Sequence, residues 1–294
     1  PALQLIPQAR LDLLDRFLSP GVFDGAPPLP PPANPDPLTF RLFETIGERL
    51  PTASLPRTFA TADLRDVAGW KAQIEAAERL TRVGALPPNR LLGLYSERKP
   101  AASGGTWDRV EALQRFETAL NQNSASAVAK TLPGVGEARQ AAQLEVPFAT
   151  LFADQLNHLA LDDPRARRIR WHMSLLSPAY EAAAASPPNR QGATDGFLAA
   201  LALGTPGSVP APNTAAQAIA DGFGQDARPP IRVDDALSAG RLGEAVLLAM
   251  THFDRGARGN TADLSGALAT FRKVGLEDTA RRASLQLMLL ERNR

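Results

Sequence analysis

Apolar residues recur at the three-and-four spacing of an α-helix along almost the whole chain, while the two-residue alternation of a strand is nearly absent. A chain patterned this way has one general way to shield its apolar stripes, which is to pack helix against helix. The residue types that favour strands are also sparse: Tyr occurs only at Tyr95 and Tyr180, and β-branched residues are few. The expected fold class is therefore all-α, built as a stack of αα-hairpins.

The stop and start signals divide this pattern into segments. Residues 3–18 place Leu11, Leu14, Phe17 and Leu18 on one face. Residues 36–50 open with Asp36 as N-cap and Pro37 at the first helical position, then present Phe40, Phe43 and Ile46 as a stripe. The longest periodic run is 61–84, capped by Thr61 or Asp63 and ended by Gly84. Pro87 and Pro88 then start another helix, and Thr106 is the expected N-cap of the segment after the 99–108 loop. Residues 123–132 read as a returning helix, and 145–161 with 163–176 as a further pair, the second opened by Asp163 and Pro164. A short helix at 178–186 and a longer one at 193–203 follow. Beyond them, 213–223, 233–256 and 260–293 carry helical patterns again.

Two stretches interrupt the rhythm. Residues 22–37 contain too many prolines to be helical and are expected to form an extended connector. Residues 204–213, GTPGSVPAPN, form the expected joint between an N-terminal array, 1–203, and a C-terminal subdomain, 214–294. Residues 77–95 and 268–290 share a layout: a helical pattern, a basic residue, Val and Gly, a short break, then a second helical pattern. They read as one device, an αα-hairpin pinned by a glycine. The stretch around 238–250, with Gly240 before a short turn and Glu244–Ala245 opening the next helix, resembles the inter-helix junction of tetratricopeptide-like repeats. The resemblance covers a small fraction of the chain, the family's Trp, Tyr and Pro markers are not in place, and the spacing between hairpins is irregular. It implies an irregular helical-repeat solenoid or superhelix.

Composition narrows the partners. With 32 basic against 31 acidic residues the net charge is +1, so no global field draws the chain to nucleic acid or to an anionic membrane. The absence of Cys removes disulfides, zinc–thiolate sites, iron–sulfur clusters and cysteine nucleophiles. No apolar run approaches the ~20 residues that span a bilayer. Arg far outnumbers Lys, as in chains from GC-rich bacterial genomes. A start at Pro1 in place of Met is expected of a processed or trimmed chain.

Catalytic signatures are lacking. His158 has Asp154 and Asp162 four residues to either side, a spacing that can hold a divalent metal, but two-ligand patterns of this kind arise by chance and the expected reading is a surface helix end. His172 and His252 are expected at inter-helix contacts. GVGEAR at 134–139 is glycine-rich without the spacing or the preceding strand of a nucleotide loop. No catalytic, cofactor-binding or metal-binding residue is assigned. The expected function is a non-enzymatic scaffold that binds other proteins, with Trp70, Tyr95 and Trp107 as aromatic anchors and Arg165, Arg168 and Arg170 of the basic run 163–172 reading partner carboxylates. A bacterial envelope or periplasmic assembly is the expected setting, with the cytoplasm as the alternative. The competing function is a helical enzyme that cuts cell-wall glycan or another envelope substrate, which would need a paired carboxylate of raised pKa in a pocket.

Overall fold

A computed structural model describes residues 8–22, 24–65, 67–190 and 192–290. Among these residues every regular element is helical, and fifteen α-helices run in chain order. The expected start of the first helix at residue 3 lies outside the described residues. The chain divides into two compact units, Pro1–Leu86 and Pro87–Arg294.

In the first unit, α1 (Gln8–Leu18) packs on α2 (Pro37–Thr45). Leu13, Phe40, Leu42, Phe43, Leu50 and Leu55 form its main core. Asp36 caps α2 as expected: its carboxylate accepts from the Leu38 and Thr39 backbone N–H groups, and those bonds hold its pKa below the ordinary value. The Pro-rich connector between α1 and α2 lies on its own unit. Arg16 donates to Glu48 at 2.8 Å and to the Pro27 carbonyl at 2.6 Å, while the Leu29 N–H donates to Glu48 at 2.7 Å. Leu29 itself packs on the core.

The single helix expected over 61–84 is two elements. A 3-10 segment runs over Arg57–Leu64, and α3 begins only at Trp70 and ends at Thr81. Neither Thr61 nor Asp63 caps it. Asp63 is taken by Arg49 and Thr52, and Gly69 holds the N-cap position in extended conformation. The Gln73 side chain donates to the carbonyls of Arg65 and Ala68, so the break leaves those acceptors satisfied.

The second unit holds α4 (Pro88–Ser96), α5 (Thr106–Asn121), α6 (Ala125–Ala141), α7 (Glu145–Asn157), α8 (Pro164–Leu176), α9 (Tyr180–Ala184), α10 (Ala193–Ala202), α11 (Thr214–Phe223), α12 (Ile231–Ser238), α13 (Leu242–Ala257), α14 (Thr261–Lys273) and α15 (Glu277–Leu289). Asp163 caps α8 as expected. Gly105, at φ 55, takes the cap position expected of Thr106. The glycine-rich 134–139 stretch is no loop: α6 runs through it and through Pro133.

The expected boundary at 204–213 does not coincide with the division after Leu86. Helices on both sides of that stretch share one core, which includes Trp171, Phe197, Leu201, Ile219, Leu264, Leu268, Phe271 and Leu285. Pro206 is buried and Val209 and Ala211 pack on the same core. The prolines here shape a turn inside a unit.

Helix α14 is the centre of the C-terminal half, packed by α11, α13 and α15. Glycines let two of these neighbours approach. A Cβ on Gly256 would lie 2.6 Å from the Leu264 Cα, and one on Gly222 would lie 2.9 Å from the Ser265 carbonyl oxygen.

Among the described residues, eight helices end in the same hydrogen-bonded cap, at Gly47, Gly84, Asn123, Gln143, Gly204, Gly240, Gly259 and Gly275, all with positive φ. At Gly84 the bonds run from Ala85 N–H to the Leu80 carbonyl and from Gly84 N–H to the Thr81 carbonyl; at Gly275 they run from Leu276 to Phe271 and from Gly275 to Arg272. This is the Schellman arrangement, which satisfies carbonyls that a helix end leaves orphaned. The two quoted sequence layouts therefore share one terminating device. Ala245 and Ala280, the small residues expected just inside the following helices, are both fully buried.

Candidate functional site

The residues expected to meet a partner fall in different surroundings. Trp70 opens α3 in the first unit and is half-buried; Trp107, near the start of α5 in the second unit, is also half-buried. Tyr95 of α4 is buried, at 7% exposure. On α8, Arg165 is exposed and 3.7 Å from the equally exposed Glu137, a weak pair. Arg168 reaches Asp195, a buried carboxylate, at 3.1 Å. Arg170 donates to the Leu159 carbonyl at 2.7 Å, and burial followed by its neighbour Arg167 lowers its pKa. Two of the three arginines thus serve groups of their own chain.

The histidines separate further. His158 stays on the surface, 4.0 Å from Asp154. Among the described residues no group of three or more His, Asp or Glu side chains converges to hold a metal ion. His172 is half-buried beside Trp171, and desolvation, opposed by Asp195 and helped by Arg168 and Arg139, pushes its pKa down. His252 sits at an inter-helix contact, as expected. Its Nδ1 lies 2.5 Å from the Asp263 carboxylate, and Arg255 pairs with the same Asp263 at 3.1 Å. This cluster ties α13 to α14.

Of the helical glutamates, Glu117 has a raised pKa, because burial disfavours its charged form more than the Ser96 hydroxyl bond favours it. Its described side-chain partner is a hydroxyl at 2.9 Å and not a second carboxylate, so the paired acid of a glycan-cutting site is not assembled around it.

A pocket that no local motif announces lies among α4, α5, α6 and α7. Leu91, Tyr95, Leu113, Val135, Phe148 and Phe152 supply apolar walls, and Arg109 and Arg139 are the charged groups in the lining. Arg139 as a whole is half-buried, but its Nε and Nη1 are sealed from solvent and donate to no acceptor among the described residues. Its guanidinium carbon sits 5.1 Å above the Phe148 ring, a cation–π contact. Burial brings its pKa down to about 10, opposed by the Glu145 carboxylate, so it stays charged at neutral pH. The end of α6 turns through Gln143, at φ 56, and delivers Leu144 to the pocket lining.

The other notable surface is the outer face of α13. Its inner face is made of small residues, Ala245, Ala249 and Gly256, all buried. Leu247 points directly away from that row and Met250, three residues on, lies beside Leu247, whereas Leu242 and Val246 flank the buried row. Leu242 and Met250 are each 55% exposed and Leu247 is 65% exposed. Exposed apolar side chains at successive turns of one helix form a patch of the kind that marks interaction surfaces. Arg241–Glu244 and Arg258–Asp254 ion pairs frame the two ends of the helix. No protein-family model, no curated protein and no solved structure matches the chain.

Proposed function

We propose that this chain is a non-enzymatic helical scaffold whose hairpins stack in an irregular, repeat-like array and whose α13 outer face binds another protein. The observation that carries this reading is the exposed pair Leu247 and Met250, three residues apart on the outer side of a helix already anchored by Ala245, Ala249 and Gly256. A rigidly held helix presenting aliphatic and Met side chains suits an amphipathic partner helix, because those side chains adapt to an apolar ridge without leaving polar groups unpaired. The half-buried Trp70 and Trp107 and the exposed Arg165 belong to secondary contact surfaces in this reading; Arg168 and Arg170 belong to the scaffold itself. The Cys-free composition and the proline-rich connector support a bacterial envelope assembly as the setting, which cell fractionation tests.

The test is site-specific photo-crosslinking in the native cells from a reactive residue placed at Leu247, with Val83 as a second exposed apolar control site. The scaffold reading expects one protein partner in stoichiometric yield from position 247, lost in Leu247→Asp/Met250→Asp while the thermal midpoint stays unchanged. Equal products from both sites, or a crosslinked partner that survives the double substitution, would refute it.

A further inference from the structure

We propose that the pocket between α8 and the α9 segment binds a small phosphate monoester, its phosphate held by Arg167 and Arg170. This goes beyond the scaffold reading and does not depend on it, because it concerns a surface other than the outer face of α13. The argument starts from one face of α8. Arg167, Arg170, Trp171 and Ser174 recur at i, i+3, i+4 and i+7, which places them on one side of the helix, and all four line the pocket. Ala179, Ala182 and Ala183 form a second wall. Their short side chains leave about 390 Å³ of free space, within the range of small-ligand pockets. The walls are tied together: Trp171 Nε1 donates to the Ala183 carbonyl at 2.9 Å, and Ser174 Oγ donates to Asn157 Oδ1 at 3.0 Å.

Charge selects the sign of the ligand. No acidic side chain lines this pocket. On its other side α8 matches its arginines with carboxylates, Arg165 with Glu137 and Arg168 with Asp195. Arg167 has no carboxylate partner among the described residues. Arg170 donates to the Leu159 carbonyl, a neutral acceptor that uses one of its five N–H groups and holds the side chain in place. Burial and then the charge of Arg167 lower the Arg170 pKa, so the two guanidiniums lie close enough to repel each other. Like charges three or four residues apart weaken a helix unless something offsets them. An anion bound to both does so.

Two adjacent positive charges select phosphate over carboxylate. A phosphate monoester carries about −1.5 to −2 at neutral pH on one group with three terminal oxygens, so it answers both guanidiniums at one point. A monocarboxylate supplies a single charge, and a dicarboxylate divides its charges between two ends. The planar guanidinium forks also match phosphate oxygens in pairs. The rest of the lining sets the body of the ligand. Asn157 Nδ2 and Ser186 Oγ make no described hydrogen bond, which leaves them as donors for hydroxyls beside the phosphate. The alanine wall and Pro188 offer no charged group to a second anionic end. A short hydroxylated body meets both conditions.

The experiment is isothermal titration calorimetry of the full chain with glycerol 3-phosphate at low ionic strength. Glycerol, inorganic phosphate, succinate and a phosphoserine peptide are the comparisons. We expect saturable binding of glycerol 3-phosphate that weakens as sodium chloride is raised, and no binding of glycerol. Arg167→Gln should weaken the affinity by roughly 10-fold or more, the ratio set by loss of a charged hydrogen bond. Arg165→Gln removes the same charge from the other side of α8 and should leave the affinity nearly unchanged. No saturable binding of glycerol 3-phosphate, or equal losses in the two variants, would overturn the proposal. Succinate bound as tightly would overturn the phosphate assignment, and inorganic phosphate bound as tightly would overturn the hydroxylated body. Tighter binding of the phosphoserine peptide would overturn the assignment to a small molecule. Arg167 is exposed, so its substitution spares the core, and the ligand comparison uses the unaltered protein in any case.

Discussion

Substituting Gly256 by Ala tests how closely α13 and α14 are packed. The added Cβ would stand 2.6 Å from the Leu264 Cα and 2.7 Å from its Cβ and backbone nitrogen, all well inside van der Waals contact. The obstacle is the backbone of α14, not the tip of a flexible side chain, and Leu264 is 1% exposed in the middle of the core. Relief requires the two helices to separate by several tenths of an ångström along a contact that also carries the His252–Asp263 and Arg255–Asp263 bonds. Overpacking of this kind costs about 1–3 kcal/mol, and the upper half of that range applies to a backbone clash. Helix propensity offsets up to about 1 kcal/mol of it, since Ala is the better helix former. The net expectation is a destabilisation of about 1–2 kcal/mol, or roughly 2–8 °C in the thermal midpoint for a unit of this size. Gly243→Ala is the internal control: it lies in the same helix, its Cβ would meet nothing within 4 Å, and it should stabilise by ~0.5 kcal/mol. Urea and thermal unfolding of both variants, read by circular dichroism, decide the matter. If Gly256→Ala is as stable as the unaltered chain, the close approach of the two helices is not real and the account of the C-terminal core fails.

Three further outcomes are expected. Gln143 sits in the left-handed region at φ 56, so Gln143→Gly should stabilise the chain by about 1 kcal/mol, while Gly275→Ala, at φ 83, should destabilise it by a similar amount; denaturant midpoints of the pair check both signs. Glu117 is protonated more readily in the folded than in the unfolded chain, so its ionised form opposes folding: the cost is fully present above its folded pKa and is relieved as pH falls through that value. Glu117→Gln should therefore raise stability at pH 7, and its advantage should vanish as pH falls to the unfolded carboxylate range, a dependence read from unfolding midpoints across pH. Tyr180 donates to Asp278 at 2.8 Å, and burial, followed by that bond, pushes the phenol up to about 12; Tyr180→Phe should cost about 1 kcal/mol without changing helix content, measured by urea unfolding.

What the sequence made legible was mostly backbone chemistry. The Asp36–Pro37 and Asp163–Pro164 starts and the Gly84, Gly240 and Gly275 stops depend on groups within a few residues of each other, so their local pattern is enough. The break at 65–69 was not legible, because the apolar period runs through it; what resolves it is Arg49 and Thr52 claiming Asp63 from a distance. Residues 134–139 look like a loop by composition, yet packing between α5 and α8 keeps them helical. The proline-rich 204–213 stretch looks like a joint, but a turn and a linker share the same composition and only the shared core tells them apart. The pocket around Arg139 draws its walls from four helices, so no window of sequence contains it. His252 and Asp263 lie on consecutive helices across a hairpin, and the one cue available was that the turn at Gly259 brings α13 and α14 antiparallel.

The bonds of α15 reach far back along the chain, so its partners are made well before it. Asp278 holds Tyr180 and Arg281 holds Glu181, partners 98 and 100 residues earlier, and Ala280 and Leu285 complete the core around Phe197 and Ile219. Synthesis at about 5–20 residues per second leaves those earlier side chains waiting several seconds for the helix that covers them. The unit ending at Leu86 has all of its own partners long before then. A nascent chain halted before Glu277 would carry an open apolar seam along α8, α10 and α11, which α15 covers once it is made.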